Sequence, residues 1–210
     1  MARYEVAPTR TNLISLKADL ALVHEGHELL EQKRQILVLE LKQLTALAVE
    51  AQKRVDEELA GAFAALRRAR IASGEATVYS AARAINILPE IALKERRVMG
   101  VSIPGGQLNL TGNAPYYGTS STSVWMDEAV ARFKKALHAI AELAQARIAV
   151  VRLARAIQKT IRRVNALEKL LIPDYEETVK YIQDSLEESD RQAFFNLKLV
   201  KGHLESKRSE

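Results

Sequence analysis

His24-Glu25-Gly26-His27-Glu28 is the first stretch whose residue types could do chemistry, because imidazoles and carboxylates together can hold a metal ion. The zinc-protease arrangement places two histidines four residues apart on one helical face. Here they are three apart, so they read as helix-surface and seam residues. A Glu-x-x-His pair of the carboxylate-bridged di-iron type does not occur, and the four histidines (24, 27, 138 and 203) are spread widely. With 0 cysteines, thiolate ligands, thiol nucleophiles and disulfides are excluded. The glycines between 100 and 118 contain neither GxxxxGK[ST] nor GxGxxG, so they offer no phosphate cradle. Catalysis, a metal and a cofactor are therefore not expected of this chain.

A basic group is more informative. Arg152, Arg155, Lys159, Arg162 and Arg163 project opposite Ile157 at 100° per residue and make an outward stripe. Such a stripe is either a solvated face or an electrostatic contact with a partner protein. Nucleic acid is not expected, because aromatic interleaving and a nucleic-acid fold are missing, and the formal charge is only +5. The opening decapeptide MARYEVAPTR lacks an apolar core and does not read as a signal peptide, so Asn109-Leu110-Thr111 is taken as a chance match to the glycosylation pattern. A cytoplasmic protein is expected.

These side chains must be carried by long helices. Leu13, Leu16, Leu20, Val23, Leu30, Leu37, Leu41, Leu44, Ala48, Ala51, Val55 and Ala62 fall on one series of alternating three- and four-residue steps. That is a heptad seam, interrupted by polar residues at His27, Arg34 and Glu58. Arg34 and Glu58 either fix register or mark where a third element docks. Sixty helical residues reach about 90 Å, whereas a compact chain of 210 residues has a radius of gyration of about 17 Å; an elongated molecule is expected. Thr9, Thr11 or Asn12 can cap this helix, and Ser73-Gly74 suits a left-handed C-terminal cap.

The 3.6-residue period disappears from Glu75 to Met126, where Pro89, Pro104 and Pro115 and several glycines stand. Ile85, Ile87, Ile91 and Leu93 alternate around Pro89, and Val101-Ser102-Ile103 is a short extended candidate. These residues predict a small β-hairpin followed by a loop. The helical pattern returns at Asp127. Val130, Phe133, Leu137, Ile140 and Ala144 form one seam; Val150, Leu153, Ile157, Ile161, Val164 and Leu171 form another after a change of phase. Tyr175, Val179, Ile182, Leu186, Ala193, Leu197, Val200 and Leu204 continue it, with a kink expected at Pro173. The fold expected is mainly α: a long antiparallel two-helix coiled coil of N- and C-terminal helices with a small mid-chain β-hairpin and loop. Its divisions are an N-terminal arm and helix (1–73), a hairpin foot (74–126) and a C-terminal helix (127–210). A free-standing coiled-coil scaffold or tether fits the same pattern.

Several segments resemble a known family. PTRTNL (Pro8–Leu13), GHELLEQKRQIL (Gly26–Leu37), RRVNALEKLLIP (Arg162–Pro173), YIQDSLEESDR (Tyr181–Arg191) and FFNLKLVKG (Phe194–Gly202) are similar to the D subunits of the V-type/A-type rotary ATPases. MGVSIP (Met99–Pro104) resembles the segment closing that family's mid-chain hairpin. Members often carry lysines at His24 and Glu25 and an aspartate at Gln35. The resemblance implies a central-stalk rotor shaft whose paired termini enter a hexamer of catalytic A and regulatory B subunits. It also implies a small F subunit on the side, a funnel-shaped adaptor (the C/d subunit) at the foot, and a peripheral place on the cytoplasmic face of a membrane complex. On this reading Arg10, Lys33, Arg34, Arg155, Lys159, Arg162, Arg163, Asn165 and Glu168 face the sleeve. Ile85, Ile87, Ile91, Leu93, Val101 and Ile103 form a regulatory hairpin.

Overall fold

A computed structural model describes residues 6–112, 114–118 and 122–206, the side chains of Leu93 and residues 203–206 excepted. The side chains of Leu93, His203 and Leu204, named above, therefore lie outside what is described. The first helix, α1, runs unbroken over Arg10–Ser73. Thr9 caps it: its Oγ1 accepts from the Asn12 amide at 3.2 Å, and its carbonyl accepts from the Leu13 amide at 3.0 Å. Every apolar seam residue from Leu13 to Ala62 is buried or half-buried.

Gly74 ends α1 with φ 80° and ψ 156°, outside the left-handed helical region that a simple C-cap occupies. The chain then resumes at once as a second helix, α2 (Glu75–Ala84). This corrects the expectation that helical structure stops at Glu75. The physical reason is legible afterwards: Glu75 opens the first turn, four alanines follow, and Arg83 lies in the last turn.

Two strands come next, β1 (Leu88–Val98) and β2 (Val101–Thr111), paired antiparallel from Leu88↔Thr111 to Val98↔Val101. They are much longer than the short segments expected, and Pro104–Thr111 is strand where a loop was expected. Ile85 and Ile87 precede β1, Ile85 closing α2 through a 3.2 Å bond from its amide to the Ala81 carbonyl. The turn is Met99-Gly100, with φ 48° and 80°. Positive φ at both central residues defines the type I′ turn that matches strand twist. Pro89 and Pro104 sit inside the strands at register positions whose missing N–H faces away from the partner strand.

The third long helix, α3, spans Val124–Ala166. Its buried series is Met126, Ala129, Ala136, Leu143, Ala149, Leu153, Ile157, Thr160 and Val164. The first part of this seam lies one residue earlier than expected: Leu137 and Ile140 are 39% and 38% exposed, while Ala136 is 1% exposed. No change of phase is needed. Ala129 and Ala136 are buried here, as are Ala62, Ala65 and Ala69 of α1, and small residues on facing helices allow close approach.

Five residues of π-helix, Leu167–Leu171, separate α3 from the last helix, α4 (Ile172–Ser206). The Ile172 amide bonds the Leu167 carbonyl, an i→i−5 link. Pro173 stands one residue on. It has no N–H for the Lys169 carbonyl, and its ring crowds that group in a regular α-helix. A π turn placed just before it widens the backbone at that point, so the chain stays helical through the proline.

Contacts group the chain into two units. One holds the chain to Arg34 together with the chain from Lys159; the other is Gln35–Gln158. In the first, Leu16, Val179 and Ile182 form the core, with Val6, Leu13, Tyr175 and Leu186 packed on it. In the second, Ala51, Val55 and Leu143 form the core with Leu59 and Ala139. Phe63 meets Phe133 edge-on at 5.6 Å, Ser73 Oγ lies 3.0 Å from Ser123 Oγ, and the Arg68 guanidinium covers Trp125 at 5.2 Å. Partners on α1 and on α3 or α4 run in opposite directions within each unit, so each is an antiparallel helix pair.

Candidate functional site

In the first unit, the motif segments of α1 and α3 converge. His27, Glu31, Arg34, Ile161, Val164, Asn165 and Glu168 line a cleft of about 360 Å³. The helical repeat places His27, Glu31 and Arg34 on one face of α1 at steps of four and three, while Glu168 is carried by the π turn. Glu31 accepts from Arg34 Nε at 2.8 Å and pairs with the same guanidinium through Nη2. This bond and the Glu31 charge raise the Arg34 pKa; burial opposes them, and the Glu168 charge adds to them. The seam arginine thus stays charged on the flank of the cleft. The ring Nε2 of His27 is buried without a hydrogen-bond partner.

His24 and His27 do not converge. His24 Nε2 lies 3.8 Å from a carboxylate oxygen of Glu176, whereas His27 lines the cleft. Among the described residues, no group of three His, Cys, Asp or Glu could hold a metal ion. The cleft is rich in charge and in hydrogen-bonding capacity but pairs no nucleophile with a base. Such an arrangement suits docking of a polar partner group.

Arg10 opens α1 and makes a two-pronged contact to Asp190 at 3.0 and 2.9 Å, so its charge is engaged within the chain. Lys33 is half-buried beside Arg34. Lys159, Arg162, Arg163 and Asn165 are exposed on α3 in the first unit, and Arg155 is exposed in the second. Leu153, Ile157, Thr160 and Val164 are buried on the opposite face of that helix. Arg152 departs from the stripe: its Nη1 donates to the Ser102 carbonyl at 3.1 Å.

That bond belongs to a set that fixes the hairpin in the second unit. Gln145 Nε2 donates to the Gly106 carbonyl at 2.8 Å, and the Gly106 amide donates back to Gln145 Oε1 at 3.2 Å. Arg96 reaches Glu40 at 3.4 Å, and Ile103 is buried. The hairpin therefore lies along α3 instead of projecting from the Ser73–Ser123 end of the helix pair. Val101 is half-buried and Ile91 is 56% exposed. Nothing in the sequence flags Gln145, an ordinary polar residue in a helical pattern.

One expectation is overturned at the C-terminal end. Ala193, Leu197 and Val200 do not continue the seam. The α1 helix starts at Arg10, opposite Asp190, so no described helical residue covers α4 beyond that point. Residues 191–202 are exposed throughout, with Phe194 at 67%, Phe195 at 57%, Leu197 at 69% and Leu199 at 63%. The signal was present, since five apolar residues in seven fit no single helical stripe. No helix of the described residues is long and apolar enough to cross a membrane.

Comparison with known proteins is consistent along the chain. The family model described as the D subunit of ATP synthase matches residues 12–202. An A-type ATP synthase D subunit of Thermococcus gammatolerans is 37% identical over 205 residues, covering 96% of each chain. A V-type ATP synthase D subunit of Thermotoga neapolitana is 40% identical over 200 residues, covering 93% of this chain and 97% of that one. The A-type ATP synthase D subunit of Pyrococcus furiosus is 34% identical over 208 residues, with 98% and 97% covered.

Proposed function

The chain belongs to the family of ATP synthase D subunits, and on that premise we propose that it is the central rotor shaft of an A/V-type rotary ATPase. The observation that carries this reading is the overhang of α4 beyond Asp190. A lone helix exposing Phe194, Phe195, Leu197, Leu199 and Val200 is a contiguous apolar surface that calls for a partner. A sleeve of alternating catalytic A and regulatory B subunits covers it, in the cytoplasm and peripheral to the membrane. ATP is turned over by the A subunits, and this chain transmits the mechanical coupling.

The two helices of the pair differ in sequence, so a shaft made from them presents a different face to each surrounding interface. Each interface is thereby biased toward a different nucleotide state. The coupling is reciprocal: turnover moves the shaft, and a moved shaft changes nucleotide affinity. Lys33, Arg34, Arg155, Lys159, Arg162, Arg163, Asn165 and Glu168 contact the sleeve, while Arg10 steadies the overhang through Asp190. In the second unit, apolar grooves of about 550 and 440 Å³ that include Leu41, Val49, Val150 and Val151 offer a seat to the small F subunit. Ile71 and Val124, 87% and 82% exposed, suit the funnel-shaped adaptor.

The test is a double variant, Phe194→Glu with Leu197→Glu, mixed with the A/B hexamer. Both residues are exposed, so the isolated chain keeps its helix content and melting temperature. Retention on the hexamer is expected to fall at least tenfold. Unchanged retention and unchanged ion pumping would sink the proposal.

A further inference from the structure

The two edges of the β1–β2 sheet are finished differently. A two-residue turn closes on the hydrogen-bonded pair Val98↔Val101, and from there bonded and non-bonded pairs alternate. Leu88, Glu90, Ala92, Lys94, Arg96 and Val98 therefore turn their main-chain groups toward β2. Pro89, Ile91, Leu93, Glu95 and Arg97 turn theirs away. The 3.2 Å bond from Thr111 Oγ1 to the Leu88 carbonyl fits this parity.

On β2 the outward positions are Ser102, Pro104, Gly106, Leu108 and Leu110, and the three nearest the turn are partly or fully closed. The Ser102 carbonyl takes the Arg152 guanidinium at 3.1 Å. Pro104 has no N–H to leave open. Gly106 exchanges two bonds with the Gln145 amide, at 2.8 and 3.2 Å. The free edge of β1 has no such covering. No described residue bonds the outward main chain of Ile91, Glu95 or Arg97, and the described side chains of β1 are exposed up to the half-buried Val98. An open row of this length is the feature that folded proteins usually hide.

We propose that the free edge of β1 takes a third strand, an extended segment of a partner polypeptide that pairs with the main chain from Ile91 to Arg97. Only another extended backbone matches N–H and C=O groups recurring at every second residue. A second copy of this chain is the wrong occupant. Antiparallel self-pairing centred on Glu95 sets Lys94 opposite Arg96, and pairing shifted toward the base meets Pro89, which cannot donate. In-register parallel pairing stacks Lys94 on Lys94 and Arg97 on Arg97, and like charges directly opposite destabilise a ladder. The complementary strand carries acidic side chains opposite Lys94 and Arg97 and an apolar one beside Ile91. The inference rests on the chain working inside a multisubunit complex.

The experiment is amide exchange at single-residue resolution on the full chain, alone and in the reconstituted rotary complex. The amides of Ile91, Leu93, Glu95 and Arg97 are expected to slow at least tenfold on assembly, whereas those of Ala92, Lys94 and Arg96 are already protected in the free chain. Glu95→Pro deletes one outward N–H, as Pro89 already does, and is expected to weaken assembly at least tenfold while the inward amides stay protected. Glu95→Ala keeps the N–H and keeps assembly. Assembly with the outward amides still exchanging fast overturns the strand alone. Protection that rises with the concentration of the free chain also overturns it, in favour of a second copy. A chain that joins no complex overturns this inference and the shaft reading together.

Discussion

Replacing Gln145 with leucine tests how the hairpin is held. The side-chain amide makes two bonds to Gly106, one donated and one accepted, across a part-buried contact. A neutral hydrogen bond contributes about 1 kcal/mol net, and a buried group left unpaired costs about 1–3 kcal/mol. Losing both therefore weakens docking by about 2–3 kcal/mol, since part of the released main chain is rehydrated. A two-stranded hairpin is marginal by itself, so undocking should open its own ladder. At 1.4 kcal/mol per tenfold, exchange of the Ala92, Lys94 and Arg96 amides should accelerate by about 30- to 150-fold. The seam nearby, Leu143 and Ala149, is untouched, so global unfolding in urea should shift by less than about 1 kcal/mol. The assay is amide exchange beside a urea melt on the same preparation. Unchanged hairpin exchange would refute the clasp, and a large global loss would show that Gln145 supports the helices instead.

Ile182 is 0% exposed in the cluster with Leu16 and Val179, so Ile182→Ala should cost about 2–5 kcal/mol in a urea melt. The Tyr117 hydroxyl donates to Asp127 Oδ1 at 2.6 Å, and burial first, then that bond and charge, raises its pKa. The folded state thus holds its proton longer than the unfolded chain, which releases it near pH 10. Stability from this pair is intact below about pH 10 and is lost as pH climbs toward the folded value; Tyr117→Phe should flatten that decline in melts followed across alkaline pH. Arg162→Glu with Arg163→Glu alters two exposed side chains, so the free chain should keep its stability within about 0.5 kcal/mol. The same change should lower the ions moved per ATP in the assembled complex, read by proton or sodium uptake into vesicles.

How much can be read from the chain alone follows from what leaves a periodic trace. The α1 seam from Leu13 to Ala62 is legible because each leucine or alanine repeats a burial that a partner helix enforces. The outward basic residues of α3 are legible for the same reason. The Val130–Ala144 seam reads one residue out of place because alanine is a weak hydrophobic marker beside Leu137 and Ile140. Length of strand is hidden by Pro89 and Pro104, which look like breakers until register shows that each faces away from the ladder. The cleft is legible in part: Arg34, Asn165 and Glu168 stand in the motif segments, but Glu31 and the orphaned Nε2 of His27 depend on rotamers. The π turn is recognisable only through the hydrogen bond from Ile172 to Leu167, and no side-chain pattern announces it.

A shaft must turn inside its sleeve. A fluorophore or bead fixed to the exposed turn at Gly100, with the A/B hexamer held on glass, reads that directly. ATP-dependent rotation in one sense is expected, in steps set by the three catalytic interfaces, and Phe194→Glu with Leu197→Glu should abolish it. A label that stays still while the hexamer continues to turn over ATP would contradict the rotor reading.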